Sequence, residues 1–302
     1  MKRAVSISIG SSKRNKAVVT TLLGETISIE RIGTDGDMEA AAHKFEELDG
    51  KVDAFGLGGA DLGLLVDDKW YPMYSVKSIV RLVKKTPLVD GTGLKHTLEG
   101  KSAAFLDAHL KDYIEKHGGR KVFSTGGADR WGMTSSFLNA GYECTFGDVM
   151  FGLGLPIAVH TAKQIKTLAA ILVPIATRLP FEWLYPIGEK QEERVPKWES
   201  FYHAATIIAG DCLYIKRCMP DDMQGKIILT NTTTVEDVEL FRKLGVKYLV
   251  TTTPVLEGRS FGTNMMEAAL VAISGKGRAL THDEYNEMLN RLGFEPQLQE
   301  LN

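Results

Sequence analysis

Apolar and polar residues alternate over residues 4–9 (AVSISI), the period-two pattern of a strand with one buried face. Residues 17–23 and 26–32 repeat the pattern, with Gly10, Gly24 and Gly33 as punctuation. The period then changes. GTDGDMEAAAHKFEELDG spaces its apolar residues as a helix does, with Asp35 or Asp37 as cap and Gly50 as stop. A short buried strand over residues 52–57 runs into Gly58-Gly59-Ala60-Asp61, and a hairpin turning at Asp67-Asp68 follows. Residues 75–85 read as a helix, and residues 87–89 as a short strand entering Asp90-Gly91-Thr92-Gly93. A helix over residues 102–117 closes this part, and Gly118-Gly119 marks the expected boundary.

Beyond it the alternation of strand and helix is cleaner. KVFST (121–125) is a strand leading into Gly126-Gly127, then a helix over 129–140 stopped by Gly141, then a strand over 143–146 ending near Asp148. Residues 157–177 form a long helix, and the charged stretch 180–196, with Trp183 and Tyr185, reads as an excursion or lid. Strands over 206–209 and 226–230 end in Gly210-Asp211 and Asn231. Val235, Val238, Phe241 and Leu244 share one helix face. A strand over 248–251 precedes Thr252-Thr253-Pro254, a helix over 263–273 can return to the first domain, and Thr281 and Glu284 are spaced as a capping box for a last helix.

Strand–helix alternation with short turns predicts an α/β protein of two domains. Residues 1–118 form an N-terminal α/β substrate or catalytic domain. Residues 119–275 form a Rossmann-like, doubly wound parallel-sheet domain for a cofactor, and residues 276–302 a C-terminal helix. Ligands in such sheets collect at the carboxyl ends of the strands, which directs attention to the turns.

Composition narrows the function classes. With 302 residues, 44% hydrophobic and 25% charged, the chain has ample material for a folded core. Thirty-six basic residues against thirty-eight acidic ones give no electrostatic basis for binding nucleic acid. Cys144, Cys212 and Cys218 are widely spaced without a CxxC, which points to a reducing cytoplasm rather than a disulfide scaffold. The N-terminus alternates instead of forming an apolar signal core. TLAAILVPIA (167–176) contains Pro174 and falls short of the ~20 apolar residues of a membrane span, so it reads as a buried core helix. No zinc-type His/Cys cluster, P-loop or GxSxG elbow is present.

The strongest candidate chemistry is KVFSTGGADRWGMTSSFLNAGYECTFGD. Small residues after a strand let backbone N–H groups and a helix N-terminus approach a phosphate. An acid about 20 residues on, here Asp148, can accept from ribose hydroxyls. Gly126, Gly127, Ala128, Asp129 and Arg130 are therefore candidate cofactor residues together with Asp148, although the glycines do not follow GxGxxG. The alternative is a βαβ unit whose glycines only make a tight turn. Asp211, Asn231, Thr232 and Thr253 occupy later strand-end turns and are further cofactor candidates, or simple helix caps. Arg259, able to pair with a carboxylate, and Asn264 are candidates for substrate. In the first domain, Asp90, Lys95 and Asp61 are candidates for acid–base work, because a lysine beside a carboxylate can hold a hydroxyl and move its proton; a capped turn with solvated charges is the plainer reading.

STGGADRWGM resembles the GxGGAxRA turn of the quinate/shikimate dehydrogenases, matching at Gly126, Gly127, Ala128 and Arg130 and departing at Ser124 and Trp131. The whole chain, through IGTDGD, GLGGADL, VDGTGL and VTTTPVLEGRSFGTNMMEAAL, is similar to bacterial proteins named quinate 5-dehydrogenase. The resemblance implies an oxidoreductase moving hydride between NAD(P) and a small hydroxy acid. The dehydrogenases' Asn-x-Thr-x-x-x-Lys segment has no counterpart here, so their catalytic lysine and aspartate are not carried over. An acid at position 148 favours NAD over NADP. A methyltransferase using S-adenosylmethionine, which also needs a glycine turn and a ribose-holding acid, is the competing reading, and a sensor that keeps the pocket without chemistry is a third. The expected partner is a small-molecule substrate, without nucleic acid or membrane, in a homodimer.

Overall fold

The computed structural model describes residues 1–179, 194–253, 255–256, 259–260 and 262–302, with side chains excepted at 255, 256, 259 and 260. The chain folds as two compact units. The first comprises Met1–Leu94, Ile171–Lys190 and Gly262–Phe294; the second comprises Lys95–Ala170, Gln191–Phe261 and Glu295–Asn302. The change of unit at Leu94 precedes the expected boundary at Gly118-Gly119, because the helix Ser102–Lys116 packs on the helix Trp131–Asn139 within the second unit. The helices Thr263–Ser274 and His282–Leu292, expected in the cofactor domain and the C-terminal segment, belong to the first unit.

In the first unit, β1 (Lys2–Ser8), β2 (Lys16–Leu22), β3 (Glu25–Gly33), β4 (Ala54–Gly58) and β7 (Leu88–Val89) form a sheet in the order β2-β3-β1-β4-β7, and β5 (Gly63–Val66) and β6 (Lys69–Pro72) form a hairpin. All neighbours in the larger sheet are parallel except β2, which runs antiparallel to β3. Asp37 caps the helix Met38–Leu48 by accepting from the Ala40 N–H. That helix places Phe45 in a core with Val5, Ile7, Phe55 and Leu57.

The alternate residues of β1 and β4 lie on the opposite face. Ser6 and Ser8 are as buried as the valine and isoleucine between them. Asn264 Nδ2 donates to Ser6 Oγ at 2.6 Å, and a Cβ on Gly56 would sit 2.7 Å from the Asn264 carbonyl oxygen. The AVSISI alternation therefore separates a large-residue face from a small-residue face, both buried, because the helix Thr263–Ser274 needs small residues beneath it to approach β1, β3, β4 and β7.

The second unit is built on β8 (Lys121–Ser124), β9 (Glu143–Phe146), β10 (Ile207–Gly210), β11 (Ile227–Thr230), β12 (Tyr248–Thr251), a short pair β13 (Val255–Leu256) and β14 (Arg259–Ser260), and β15 (Gln297–Glu300). The main sheet has the order β15-β12-β11-β10-β8-β9, parallel throughout except at β15, and is thus the doubly wound α/β arrangement expected. Phe123, Tyr202, Ile208, Ile215, Ile228 and Phe241 fill its core. From β8 the chain goes first to β9 on one side and later to β10 on the other, so the topological switch point lies between the carboxyl ends of β8 and β10.

Two helices depart from their expected form. Residues 75–85 hold only one helical turn, Lys77–Val80. The long helix begins at Ala162 rather than at residue 157, because Val159 pairs with Phe146 as an isolated bridge. It is not a fully buried core helix: Ile165, Ala169 and Val173 face inward, while Ile171 and Ile175 are 59% and 62% exposed. Among the described residues no helix is long and apolar enough to cross a membrane. Residues 180–193, with Trp183 and Tyr185, lie outside the described residues.

Candidate functional site

At the carboxyl end of β8 the chain passes through Ser124 and Thr125, both buried, into Gly126 and Gly127. The Thr125 N–H donates to the Ala209 carbonyl at 2.9 Å, which draws the ends of β8 and β10 together. Gly210, at φ +135°, is glycine for two reasons: its backbone is left-handed, and a Cβ would strike Thr125 Oγ1. Gly132, in the first turn of the helix Trp131–Asn139, is glycine because the Lys95–His96 backbone lies against it, leaving no room for a Cβ. That approach brings Lys95 to the turn.

The turn itself is closed by Asp148. Its carboxylate accepts from the Gly127 N–H at 2.9 Å and from the Ala128 N–H at 2.8 Å. Burial pushes the Asp148 carboxyl up from its ordinary range, and those two N–H groups pull it down. These are the donors that a phosphate would use in a glycine turn.

Behind the turn lies a cluster of buried charge. Lys95 Nζ donates to Asp129 Oδ1 at 3.0 Å. Burial opposes the Asp129 charge, but Lys95 and then Arg130 outweigh it and hold the carboxyl down at about 2. Arg130 is 4% exposed; it donates through Nη2 to Asp211 Oδ2 at 2.7 Å and through Nη1 to Glu99 Oε1 at 2.5 Å. Its Nε also lies 3.4 Å from Asp129 Oδ2. Glu99 is fully buried, and desolvation raises its pKa against the attraction of Arg130 and Lys95. Its second oxygen, Oε2, has no hydrogen-bond partner.

Asp211 extends the cluster along the strand ends. Its Oδ2 also accepts from Asn231 Nδ2 at 2.8 Å, and its Oδ1 caps the helix Cys212–Cys218 by accepting from the Leu213 N–H at 2.9 Å. Asn231 Oδ1 accepts from Thr230 Oγ1 at 3.1 Å and from the Cys212 N–H at 3.3 Å. Thr232 is half-buried on the turn after β11, and the Thr253 N–H donates to the Asn231 carbonyl. The Oγ1 atoms of Thr252 and Thr253 are buried without a hydrogen-bond partner among the described residues. Two cations, Lys95 and Arg130, thus face three carboxyl groups, Glu99, Asp129 and Asp211, and Asp148 acts on Asp129 from the turn.

Of the expected catalytic trio, only Lys95 joins this cluster within the second unit. Asp90 belongs to the first unit and is a backbone anchor, accepting from the Leu62 N–H at 2.6 Å and the Thr92 N–H at 2.9 Å. Asp61 is half-buried in the same unit. Asn264 is also there, spent on Ser6, and the Arg259 side chain lies outside the described residues. Arg130 and Asp211 are spent on carboxylate and amide partners inside the fold. Sequence reading missed Glu99, whose signal was its i,i+4 spacing from Lys95 between the buried Leu98 and Ser102.

No curated protein matches this chain. Among solved structures, it is similar to an NAD-dependent malic enzyme from Thermotoga maritima at 15% identity, over 97% of this chain and 76% of that one, with a TM-score of 0.39. An Entamoeba histolytica malic enzyme matches at 12% identity, over 93% of this chain and 60% of that one, with a TM-score of 0.37. A galactofuranose binding protein matches at 12% identity, over 96% and 98%, with a TM-score of 0.34. Residues 3–90 match the model of a domain of unknown function, DUF8753. Over residues 93–301, more than half its length, the chain matches another such model and belongs to that family, the domain of unknown function DUF8754.

Proposed function

We propose that the protein is an NAD(P)-dependent oxidoreductase acting on a small hydroxy acid, with its cofactor at the carboxyl ends of β8 and β10 and Lys95 as the acid–base group. The observation that carries this reading is the Lys95–Asp129 pair, 3.0 Å apart at the switch point of a doubly wound sheet. A bound nicotinamide supplies hydride transfer. Lys95, oriented by Asp129, holds the substrate hydroxyl and exchanges its proton, with Asp129 as the more exposed member of the pair. Asp148 keeps acceptor capacity beyond its two N–H bonds, which suits a ribose diol. In this reading the partner is a free small molecule and the protein a cytoplasmic homodimer.

One observation favours a second reading. Asp148 already holds the Gly127 and Ala128 N–H groups, and the surrounding carboxyl groups outnumber the cations. S-Adenosylmethionine carries a ribose and a positive sulfonium but no phosphate, so a methyltransferase meets less competition at the turn. Calorimetric titration with NAD, NADP and S-adenosylmethionine separates the two. Saturable heat with NAD or NADP, together with a Lys95→Met variant that binds as well but turns over about 10²–10⁴-fold more slowly, is the expected result. Silence with both dinucleotides at millimolar concentration overturns the oxidoreductase, and heat with S-adenosylmethionine alone moves the assignment to methyl transfer.

A further inference from the structure

The first unit buries the acidic side chain of Glu267 with no cation beside it among the described residues. Glu267 lies in the middle of the helix Thr263–Ser274, within a run from Met265 to Ala272 that is buried throughout. Its Oε1 accepts from the Tyr285 hydroxyl at 2.6 Å and from the Gly93 N–H at 3.2 Å. Its Oε2 has no hydrogen-bond partner among the described residues. Tyr285, on the helix His282–Leu292, is also buried, and its oxygen accepts from the Leu280 N–H at 3.4 Å. There is no slack around the contact: a Cβ on Gly93 would strike the Tyr285 ring and lie 2.5 Å from Glu267 Oε1.

The titratable groups that act on Glu267 are Asp90, in the turn after β7, and Tyr285. Charged residues of the strands beneath the helix are engaged elsewhere: Lys2 with Asp53, Arg3 with Glu30, and Arg31 with Ser8 and Ser11. A neutral acid fits such a site, since one oxygen receives two donors and no charge is desolvated. An ionised one would sit dry and next to a second carboxylate.

We propose that Glu267 is a pH-operated latch: as a neutral acid it clasps the helices Thr263–Ser274 and His282–Leu292 to the turn that follows β7, and on ionising it releases them. Burial, then the neighbouring Asp90, push the Glu267 pKa up to about 8, against the pull of the Tyr285 hydroxyl and the Gly91 and Gly93 N–H groups. In an opened segment the carboxyl titrates near its ordinary 4.5. Between these values the latched state holds one more proton than the opened one. The latch is therefore fully closed at low pH, the opening constant rises about tenfold per pH unit, and it levels off above the folded pKa.

Hydrogen exchange of the full chain, read by mass spectrometry at pH 6 and pH 8 and corrected for intrinsic rates, tests this in peptides spanning residues 88–94 and 263–274. The wild type is expected to lose about fiftyfold in protection there, while Glu267→Gln, which keeps the acceptor oxygen and cannot ionise, holds its protection constant. A glutamine variant that loses protection with pH as the wild type does overturns the latch. Tyr285→Phe removes a donor that favours the charged form, so the pH at which the loss levels off shifts upward; a plateau reached at the same or a lower pH overturns the latch equally.

Discussion

Glu99 in the second unit and Glu267 in the first are both buried, at 0% and 3% exposure, yet their neighbours differ. Glu99 meets the Arg130 guanidinium, which it shares with Asp211, and Lys95 lies close enough to bias its charge. Among the described residues Glu267 meets a phenol and the backbone N–H groups of Gly91 and Gly93, with a carboxylate beyond. One unit answers buried acidity with cations, the other with a proton. Cations make the second unit sensitive to loss of a partner and to low pH, whereas reliance on a proton makes the first sensitive to high pH. On the proposed function, the contrast also separates a site that serves chemistry from one that holds structure, since a charged Lys–Asp pair can trade protons with a ligand at neutral pH.

Arg130→Met gives the largest expected effect. It leaves Glu99 and Asp211 without their cation, and breaking a buried pair in this way costs about 3–5 kcal/mol. Urea denaturation at pH 7 reads it, and a loss under about 1 kcal/mol would mean that the second unit does not depend on its cations, erasing the contrast. Next comes Gly127→Ala. A Cβ there would lie 2.8 Å from Ile165 Cδ1 and 3.1 Å from Asp148 Oδ2, an overpacking expected to cost about 1–2 kcal/mol. Gly126→Ala meets nothing within 4 Å and should stay within about 0.5 kcal/mol, so equal costs at the two glycines would contradict the closed turn.

Asp129→Asn is expected to cost less than Arg130→Met and Gly127→Ala and is the most diagnostic in pH. Asp129 is held below its ordinary value by Lys95 and Arg130, so its stabilisation is present above pH 3.8 and fades as pH falls toward 2. With the side chain about one-third exposed, the asparagine variant should lose about 1 kcal/mol at pH 7, and the deficit should close in acid. A deficit constant from pH 7 to pH 2 would show that the carboxylate contributes shape rather than charge.

How much of this was legible in the residues depends on the signal each element carried. β1, β3, β8 and β11 stood out through apolar patterning, and the capping box of Thr281 and Glu284 was read directly and is present. β15 was not legible: QLQE is exposed at all four positions and pairs with β12 through backbone alone. At the site, the glycine turn and the involvement of Lys95, Arg130, Asp211 and Asn231 followed from strand-end placement, but their partners did not. Asp148, expected to hold ribose hydroxyls, also accepts from the Gly127 and Ala128 N–H groups, a contact no spacing announced. Lys95 was paired in thought with Asp90, five residues away, but meets Asp129, because contact across the Gly132 gap is set by packing, not by sequence distance.

The interleaving of the two units has a practical consequence for anyone cutting the gene. A fragment holding only residues 93–301 would carry the helix Thr263–Ser274, whose Met265, Met266, Leu270 and Val271 are buried, but not β1, β3 and β4, against which that helix packs. Expressed alone, it would present a bare apolar helix and aggregate. Excising β15 with the helices would in turn uncover the β12 edge. Grafting either unit onto another scaffold therefore takes several splices, and any exchange of parts between relatives has to respect junctions near 94, 170, 190, 261 and 294 rather than a single hinge.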